Sequence, residues 1–193
     1  GLAVEVAPDS ADYGLLLPYT PLHLLLLTEA PFDALVLTSG NLSDEPLCTG
    51  NDEALERLSG IADAFLLHDR DILVGCDDSV VRVSSQGPIL LRRARGYVPL
   101  PVRLAREQRC VLALGGQLKN TFCLTSGAKA FLSQHLGDLE DARCLEYLER
   151  SVAHFRQILQ VELEALACDL HPDYLSTRYA RELAQAQGLP LLQ

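Results

Sequence analysis

Positive charge is scarce in this sequence of 193 residues, in which 16 Lys and Arg stand against 26 Asp and Glu, giving a formal net charge of −10. A chain this acidic is a poor candidate for nonspecific nucleic-acid binding, because such binding needs Lys and Arg to neutralise phosphates. Any binding of a nucleotide must therefore come from a local arrangement of residues rather than from a global positive field.

Long apolar runs and targeting signals are also missing. The segment from Leu22 to Leu27 is apolar apart from His23 but far too short to span a bilayer, and the first eight residues lack the basic region of a signal peptide. Methionine is absent throughout, including at the first position. We therefore expect no membrane association, and we expect the sequence to be an excised or incomplete segment.

No C-x-x-C pair occurs among the six cysteines, so a zinc ribbon formed by this chain alone is not expected. Hydrophobic residues make up 48% of the chain, enough for a core that needs no disulfide framework. We expect reduced thiols in a cytoplasmic protein. The cysteines are Cys48, Cys76, Cys110, Cys123, Cys144 and Cys168.

Apolar runs and periodicity predict an α/β protein with mixed sheets. Helices are predicted near residues 23–28, 52–58 (with Asn51 as N-cap), 139–159 and 176–187. Strands are predicted at 15–17, 34–38, 64–68, 79–83, 89–92, 111–116 and 165–169, with a hairpin formed by 120–125 and 129–133. A Gly- and Pro-containing stretch followed by charged residues predicts a linker over 103–109, which separates a first domain (1–102) from a second (110–193).

Two motifs in the first domain are candidates for phosphate chemistry. The loop Thr38–Pro46 follows a predicted strand, and its small residues would let a phosphate approach backbone N–H groups; the alternative is an ordinary turn. Asp77-Asp78-Ser79 is followed by the arginine-rich segment Arg92–Pro99. Paired acids can hold Mg²⁺ and arginines can bind phosphate, while the alternative is a solvated acidic turn beside a basic strand end.

The second domain contains two further motifs. Leu114–Phe122, with Ser133–Leu139, suits a phosphate-binding hairpin, although it is not a Walker A loop and could be a simple β-hairpin. Asp169–Thr177 places Asp and His after a predicted strand, where they could bind a metal or position a substrate; the alternative is an N-cap turn.

Taken together, these motifs resemble the HypF family of carbamoyltransferases, which mature [NiFe]-hydrogenases. The loop Thr38–Pro46, the segment Leu17–His23 and the Asp77–Arg82 and Arg92–Pro99 blocks are similar to its YrdC/Sua5-like domain. The remaining motifs are similar to the start of its Kae1-like domain, which has the ASKHA fold. The resemblance thus implies a partial YrdC-like domain followed by the beginning of a Kae1-like domain.

The resemblance implies ATP-dependent formation of carbamoyl-adenylate from carbamoyl phosphate, and transfer of the carbamoyl group to the C-terminal cysteine of a HypE-type acceptor protein. The implied cofactors are ATP and Mg²⁺. The zinc or iron ligands of the full-length family are not in this chain, so no complete metal site is expected. Because the acylphosphatase domain and half of the YrdC-like domain are absent, we expect little turnover from this segment alone.

The same resemblance implies roles for particular residues, without assigning a catalytic base. The sequence departs from the family at Gly75, where the family usually has an arginine. The residues implied in substrate or nucleotide binding are Ser39, Gly40, Asn41, Ser79 and Arg95 in the adenylate pocket and Lys119 and Asn120 at the second site, with His135, Asp138, Asp77 and Asp78 as possible supports.

Two other functions remain open from the sequence. A threonylcarbamoyl-adenylate synthase or related tRNA-modification factor contains the same domain types and would use threonine and bicarbonate. A non-catalytic docking fragment would hold a partner through apolar faces and would gain no stability from ATP.

Overall fold

The computed structural model describes residues 2–43, 45–140 and 142–193. Gly1, Asp44 in the first motif and Asp141 lie outside the described residues. The chain divides into two compact units, Gly1–Ser39 and Gly40–Gln193. Among the helices of the described ranges, none combines the length and apolar character needed to cross a membrane.

The first unit contains helix α1 (Pro21–Glu29), which confirms the helix predicted after Pro21. Thr20 caps it, because its hydroxyl accepts a hydrogen bond from the His23 N–H at 3.1 Å. The strands predicted at 15–17 and 34–38 do not form. Leu15 and Leu17 are 92% and 83% exposed, and an apolar segment becomes a strand only where another strand pairs with it.

The second unit begins with helix α2 (Asn51–Leu58) and the antiparallel hairpin of β1 (Val80–Ser84) and β2 (Gly87–Arg92). Both strands and the helix were expected, but the N-cap is Gly50 rather than Asn51. The Glu53 carboxylate accepts hydrogen bonds from the backbone N–H groups of Thr49 and Gly50. The strand predicted at 64–68 does not form, because this segment does not pair with a neighbouring strand.

A five-stranded mixed sheet forms the centre of the second unit, in the order β3-β5-β4-β6-β7. The β3–β5 and β4–β5 pairs are antiparallel, whereas β4–β6 and β6–β7 are parallel. The mixed pairing confirms the predicted α/β class. The strands are β3 (Val102–Gln108), β4 (Val111–Leu114), β5 (Phe122–Leu132), β6 (Ala165–Ala167) and β7 (Leu191–Leu192).

Strand β5 contains the predicted hairpin. The Ser133 N–H donates to the Phe122 carbonyl at 2.8 Å. The ends of a straight strand of eleven residues would be too far apart for this hydrogen bond. Gly127 has φ +56°, a backbone conformation that glycine adopts without steric cost. The chain therefore turns back within β5, as its Ser126-Gly127 sequence indicates.

The predicted linker over 103–109 is wrong, because most of it belongs to strand β3. In this strand Val102 lies opposite Ala130 and Arg103 lies opposite Lys129. The strand is at the edge of the sheet and its charged side chains are exposed. Charged residues are common on edge strands, so composition alone cannot separate such a strand from a linker.

The core lies between the sheet and two helices, α3 (Ala142–Leu159) and α4 (Leu175–Gln187), both of which were predicted. Phe122 of the sheet contacts Phe155 of α3 edge to face, with ring centroids 5.0 Å apart. Gly188 ends α4 with φ +64°, as expected of a C-terminal glycine. The side chains with 0% exposure that anchor this core include Leu112, Leu124, Leu139, Leu148 and Leu166.

Candidate functional site

The paired acids of the first domain are bound to arginines. Arg92 forms a salt bridge with Asp77, with 2.8 Å between Nη1 and Oδ2. Arg95 forms one with Asp78, with 3.1 Å between Nε and Oδ1, and its Nη2 donates to the Cys76 carbonyl at 2.7 Å. Both pairs are partly exposed, so they contribute little to stability. Their effect is to fix where the guanidinium groups point.

Ser79 holds the arginine segment against the acidic turn. Its hydroxyl donates to the Arg95 carbonyl at 2.9 Å and accepts from the Ala94 N–H at 2.8 Å. The Arg95 N–H in turn donates to the Asp77 carbonyl at 3.1 Å. Two parts of this motif that are 15 residues apart in sequence therefore meet in the folded chain.

The loop around Asn41 is stabilised by its own side chain. The Asn41 amide donates to the carbonyls of Leu42 and Glu45, each at 2.9 Å. The Cys48 N–H donates to the Gly40 carbonyl at 2.9 Å. This is a structured turn, and the amide nitrogen that could have bound a phosphate is occupied within it. The boundary between the two units falls just before Gly40, so Ser39 belongs to the first unit, where it is exposed.

No group of three or more His, Cys, Asp or Glu within the described ranges could hold a metal ion. The acids proposed for Mg²⁺, Asp77 and Asp78, have arginine partners at salt-bridge distance. A cationic partner competes with a metal for the same carboxylate oxygens. These acids therefore fit the role of orienting Arg92 and Arg95 better than that of a Mg²⁺ ligand set.

In the second domain, the turn after β4 requires glycine. A Cβ atom at Gly115 would lie 2.6 Å from the Thr121 carbonyl oxygen, a contact that the backbone excludes. Lys119 adopts φ +49°, and its N–H donates to Asp138 Oδ1 at 2.5 Å. The Asp138 carboxylate thereby supports the turn, while the exposed Lys119 side chain supplies positive charge at its surface.

Asn120 is buried at the base of this turn, with 1% exposure. Its Nδ2 donates to the Gly116 carbonyl at 2.7 Å, and its backbone N–H donates to Gly137 at 2.7 Å. Its Oδ1 has no hydrogen-bond partner among the residues that the structure describes. A buried acceptor without a partner is uncommon in folded proteins.

Gln117 has a structural role that was not predicted from the sequence. Its side-chain Nε2 donates to the Leu139 carbonyl, and its Oε1 accepts from the Leu175 N–H at 2.9 Å. It therefore ties the glycine turn to the first residue of α4. A glutamine between two glycines and a lysine gives no sequence signal for such a role, because the partners are 22 and 58 residues away.

The turn Asp169–Tyr174 is organised by its own groups. Asp169 Oδ1 accepts from the His171 N–H at 2.8 Å, and His171 Nδ1 accepts from the Asp173 N–H at 3.3 Å. The His171 and Tyr174 rings stack with centroids 4.2 Å apart. The geometry favours the simpler of the two interpretations, a turn that leads into α4.

His135 lies beside the arginine-rich segment, and its backbone N–H donates to the Arg93 carbonyl at 3.1 Å. Burial, and then the positive charge of Arg92, lower the pKa of His135 below its ordinary value. Asp77 and Asp138 act in the opposite direction, and Lys119 lowers it further. The carboxylates of Asp77 and Asp138, which come from two different motifs, thus both influence the pKa of His135.

We expect His135 to make this chain less stable in mild acid. Because its folded pKa is lowered, stability is fully present above the unfolded value near 6.5 and is lost as pH falls through that value toward the folded pKa. The loss of stability is measured by urea unfolding of the unaltered chain and of H135Q at about pH 7 and about pH 5. The variant should lose less stability on acidification, and an equal loss in both proteins would contradict the expectation.

The comparisons with known proteins agree with the motif resemblance. The Sua5–YciO–YrdC family model, described as telomere recombination, matches residues 2–94, and the model described as the HypF Kae1-like domain matches residues 106–193. Carbamoyltransferase HypF2 of Cupriavidus necator is 52% identical over 98% of this chain, and carbamoyltransferase HypF of Synechocystis is 45% identical over 98%. This chain belongs to the HypF family.

Solved structures lead to the same family. The chain is similar to full-length HypF in its phosphate- and nucleotide-bound form, with a TM-score of 0.86 and 45% identity over 93% of this chain. HypF of T. kodakarensis gives a TM-score of 0.92 and 37% identity over all of it. The chain spans about a quarter of each of these HypF proteins, namely 24–28% of their length.

Proposed function

We propose that this chain is the part of a carbamoyltransferase that joins its adenylate-forming site to its transfer site. In this proposal ATP and carbamoyl phosphate are converted to carbamoyl-adenylate, and the carbamoyl group then passes to the C-terminal cysteine of a HypE-type acceptor. The observation that carries the proposal is the match, at 45% identity and TM-score 0.86, to a HypF solved with phosphate and nucleotide bound.

Water first hydrolyses carbamoyl phosphate to carbamate and inorganic phosphate, in the acylphosphatase domain that this chain does not contain. A carbamate oxygen then attacks the α-phosphorus of ATP and pyrophosphate leaves. Charge increases on the phosphate oxygens in the transition state, so an arginine held in a fixed position lowers the barrier. Arg95 suits this role, because Asp78 and the Cys76 carbonyl fix its guanidinium group while leaving its side chain 51% exposed. Ser79, Gly40 and Asn41 would shape the surrounding pocket.

In the second step, the acceptor thiol attacks the carbamoyl carbon, AMP leaves, and the thiol proton passes to solvent. Lys119 would neutralise the phosphate of the bound adenylate. The unpartnered Asn120 Oδ1 would accept a hydrogen from an amino or hydroxyl group of the ligand, since an acceptor cannot bind phosphate oxygens. His135 and Asp138 would support this site by holding the turn.

ATP would be bound with Mg²⁺ held mainly by its phosphates and by water, since Mg²⁺ retains several water ligands. Zinc or iron would be bound by parts of the family not contained in this chain. The reduced thiols and acidic charge fit a cytoplasmic protein that acts on small molecules and a protein acceptor, without nucleic acid or a membrane. None of the six cysteines forms a disulfide within the part of the chain that the structure describes.

The proposal is tested in a chimera in which residues 2–193 replace the matching segment of C. necator HypF2. We expect ATP–pyrophosphate exchange that depends on carbamoyl phosphate, and a fall of about 100-fold in kcat/KM on R95A, because a fixed charge on the phosphate is lost. R103A, on the exposed edge strand, is the control. The 193-residue chain alone should give little exchange.

Two results would contradict the proposal. Clear exchange by the isolated chain would show that one site is complete without the rest of the family sequence. Exchange supported by threonine and bicarbonate, but not by carbamoyl phosphate, would favour the threonylcarbamoyl-adenylate synthase instead.

A further inference from the structure

Arg143 connects helix α3 of the second domain to the Asn41 loop of the first. Its Nη2 lies 3.1 Å from Glu45 Oε1 and its Nη1 lies 3.4 Å from Glu45 Oε2. Two parallel N–H donors on one carboxylate fix direction as well as distance. The two residues are 98 positions apart in sequence, so this contact exists only in the folded chain.

Glu45 is central to the loop that the proposed function assigns to the adenylate. Its carbonyl accepts from the Asn41 amide at 2.9 Å, and its N–H donates to the Leu42 carbonyl at 3.2 Å. Its carboxylate also pairs with Arg57 of α2. The Glu45 side chain is 18% exposed, whereas that of Arg143 is 49% exposed. One largely buried carboxylate is thus shared by helices on both sides of the predicted domain boundary.

A second contact from α3 runs beside the first. The Tyr147 hydroxyl donates to the Gly75 carbonyl and accepts from Gln134 Nε2 at 3.3 Å. A Cβ atom at Gly75 would lie 3.3 Å from the Thr49 side chain, a close contact that shows how tightly this segment packs. Contacts from α3 therefore reach both the loop near Glu45 and the segment just before the paired acids.

We propose that Arg143 is a positioning residue that holds the Asn41 loop, in its described residues 40–43 and 45–46, in the geometry required for adenylate formation. Without Arg143, the carboxylate of Glu45 would still pair with Arg57 and the loop would remain attached to α2 alone. Its position relative to the second domain would then be free to vary. This inference rests on the proposed function only in assigning the loop to the nucleotide.

The alternative is a surface salt bridge without consequence, since partly exposed pairs contribute about 0–1 kcal/mol to stability. The two interpretations differ in what they predict. A surface pair would leave both stability and kinetics almost unchanged. A positioning contact would also leave stability almost unchanged, but it would weaken ligand binding, because small displacements in a site have large kinetic effects.

Arg156 provides a matched control on the same helix. Its Nη2 lies 3.1 Å from Glu162 Oε2, the same distance as in the Arg143 pair, but its partner is 94% exposed and lies six residues away. R156A therefore removes an arginine–carboxylate pair from α3 without affecting the loop. R143K keeps the charge but loses the two-donor geometry, and E45Q removes the charge that both arginines share.

The first measurement is pyrophosphate exchange in the chimera. For R143A we expect KM for ATP to rise on the order of 10-fold, with kcat changed by less than about twofold and Tm equal to that of R156A. R143K should lie between R143A and the unaltered protein, and E45Q should be at least as impaired as R143A. If R143A has the kinetics of R156A, or if kcat and Tm fall together, the positioning role is wrong.

The second measurement does not require activity. Amide hydrogen exchange should be faster at Glu45 and Cys48 in R143A than in R156A, because their N–H groups bond within the loop. Equal exchange rates in the two variants would overturn the inference. An unaltered chimera that fails to exchange pyrophosphate would contradict the proposed function, while the amide rates would still decide whether Arg143 orders the loop.

Discussion

Replacing Gly115 by alanine should destabilise the chain by about 1–3 kcal/mol, the usual cost of forcing an extra methyl group into a packed site. The new Cβ would lie 2.6 Å from the Thr121 carbonyl oxygen. That oxygen already accepts the Gly115 N–H at 2.9 Å. Neither backbone segment can move without breaking this hydrogen bond, so relief by side-chain rotation is not available.

Gly116 offers a control at the next position. A Cβ atom there would meet Tyr174 Cε2 at 3.7 Å, an ordinary van der Waals distance. Urea unfolding should therefore give G116A a stability within about 0.5 kcal/mol of the unaltered chain, as for a substitution without a steric conflict. If G115A and G116A unfold at the same urea concentration, the close approach of Gly115 to Thr121 is not present in solution.

Features with a local cause were predictable from the sequence. Helix α3 was evident because Leu148, Val152 and Phe155 recur at helical spacing and bury one face. The turn in β5 was evident because Ser126-Gly127 separates two apolar segments. In both cases the residues that determine the structure lie within one turn or one hairpin of each other.

Features that depend on distant partners were not predictable in this way. Residues 15–17 and 34–38 have the composition of strands, yet composition cannot supply the neighbouring strand that pairing requires. The reverse happened at β3, where the charged sequence from Arg103 to Arg109 looked like a linker. Pairing with β5 overrides that local preference.

In the candidate site, too, some features were predictable from the sequence and others depend on distant partners. Ser79 and Arg95 were grouped by family resemblance, and the structure brings them together through a hydrogen bond between the Ser79 hydroxyl and the Arg95 carbonyl. Gln117 and Arg143 were missed, because their partners lie far away in sequence. A polar side chain with a single distant partner has no periodicity or spacing by which to be recognised.

The substitution N120D should destabilise the chain by about 3 kcal/mol or more at neutral pH, because it places an ionised carboxylate at a position with 1% exposure. The Asn120 side-chain amide donates to the Gly116 carbonyl at 2.7 Å. In N120D a carboxylate oxygen would face that carbonyl oxygen, and neither atom can donate a hydrogen. N120A loses the same hydrogen bond without adding a charge. It should therefore be destabilised less than N120D at pH 7.

The pH dependence separates these two effects. Burial should raise the folded pKa of the new aspartate above its unfolded value near 3.9. For a group with a raised folded pKa, stability is present below the unfolded pKa and is lost as pH rises through the folded pKa. The difference between N120D and N120A should therefore shrink as pH is lowered, since a protonated Asp can again donate to Gly116. Urea unfolding at several pH values measures that difference, and a constant gap would mean that the carboxylate is solvated and that the base of the turn is open to water.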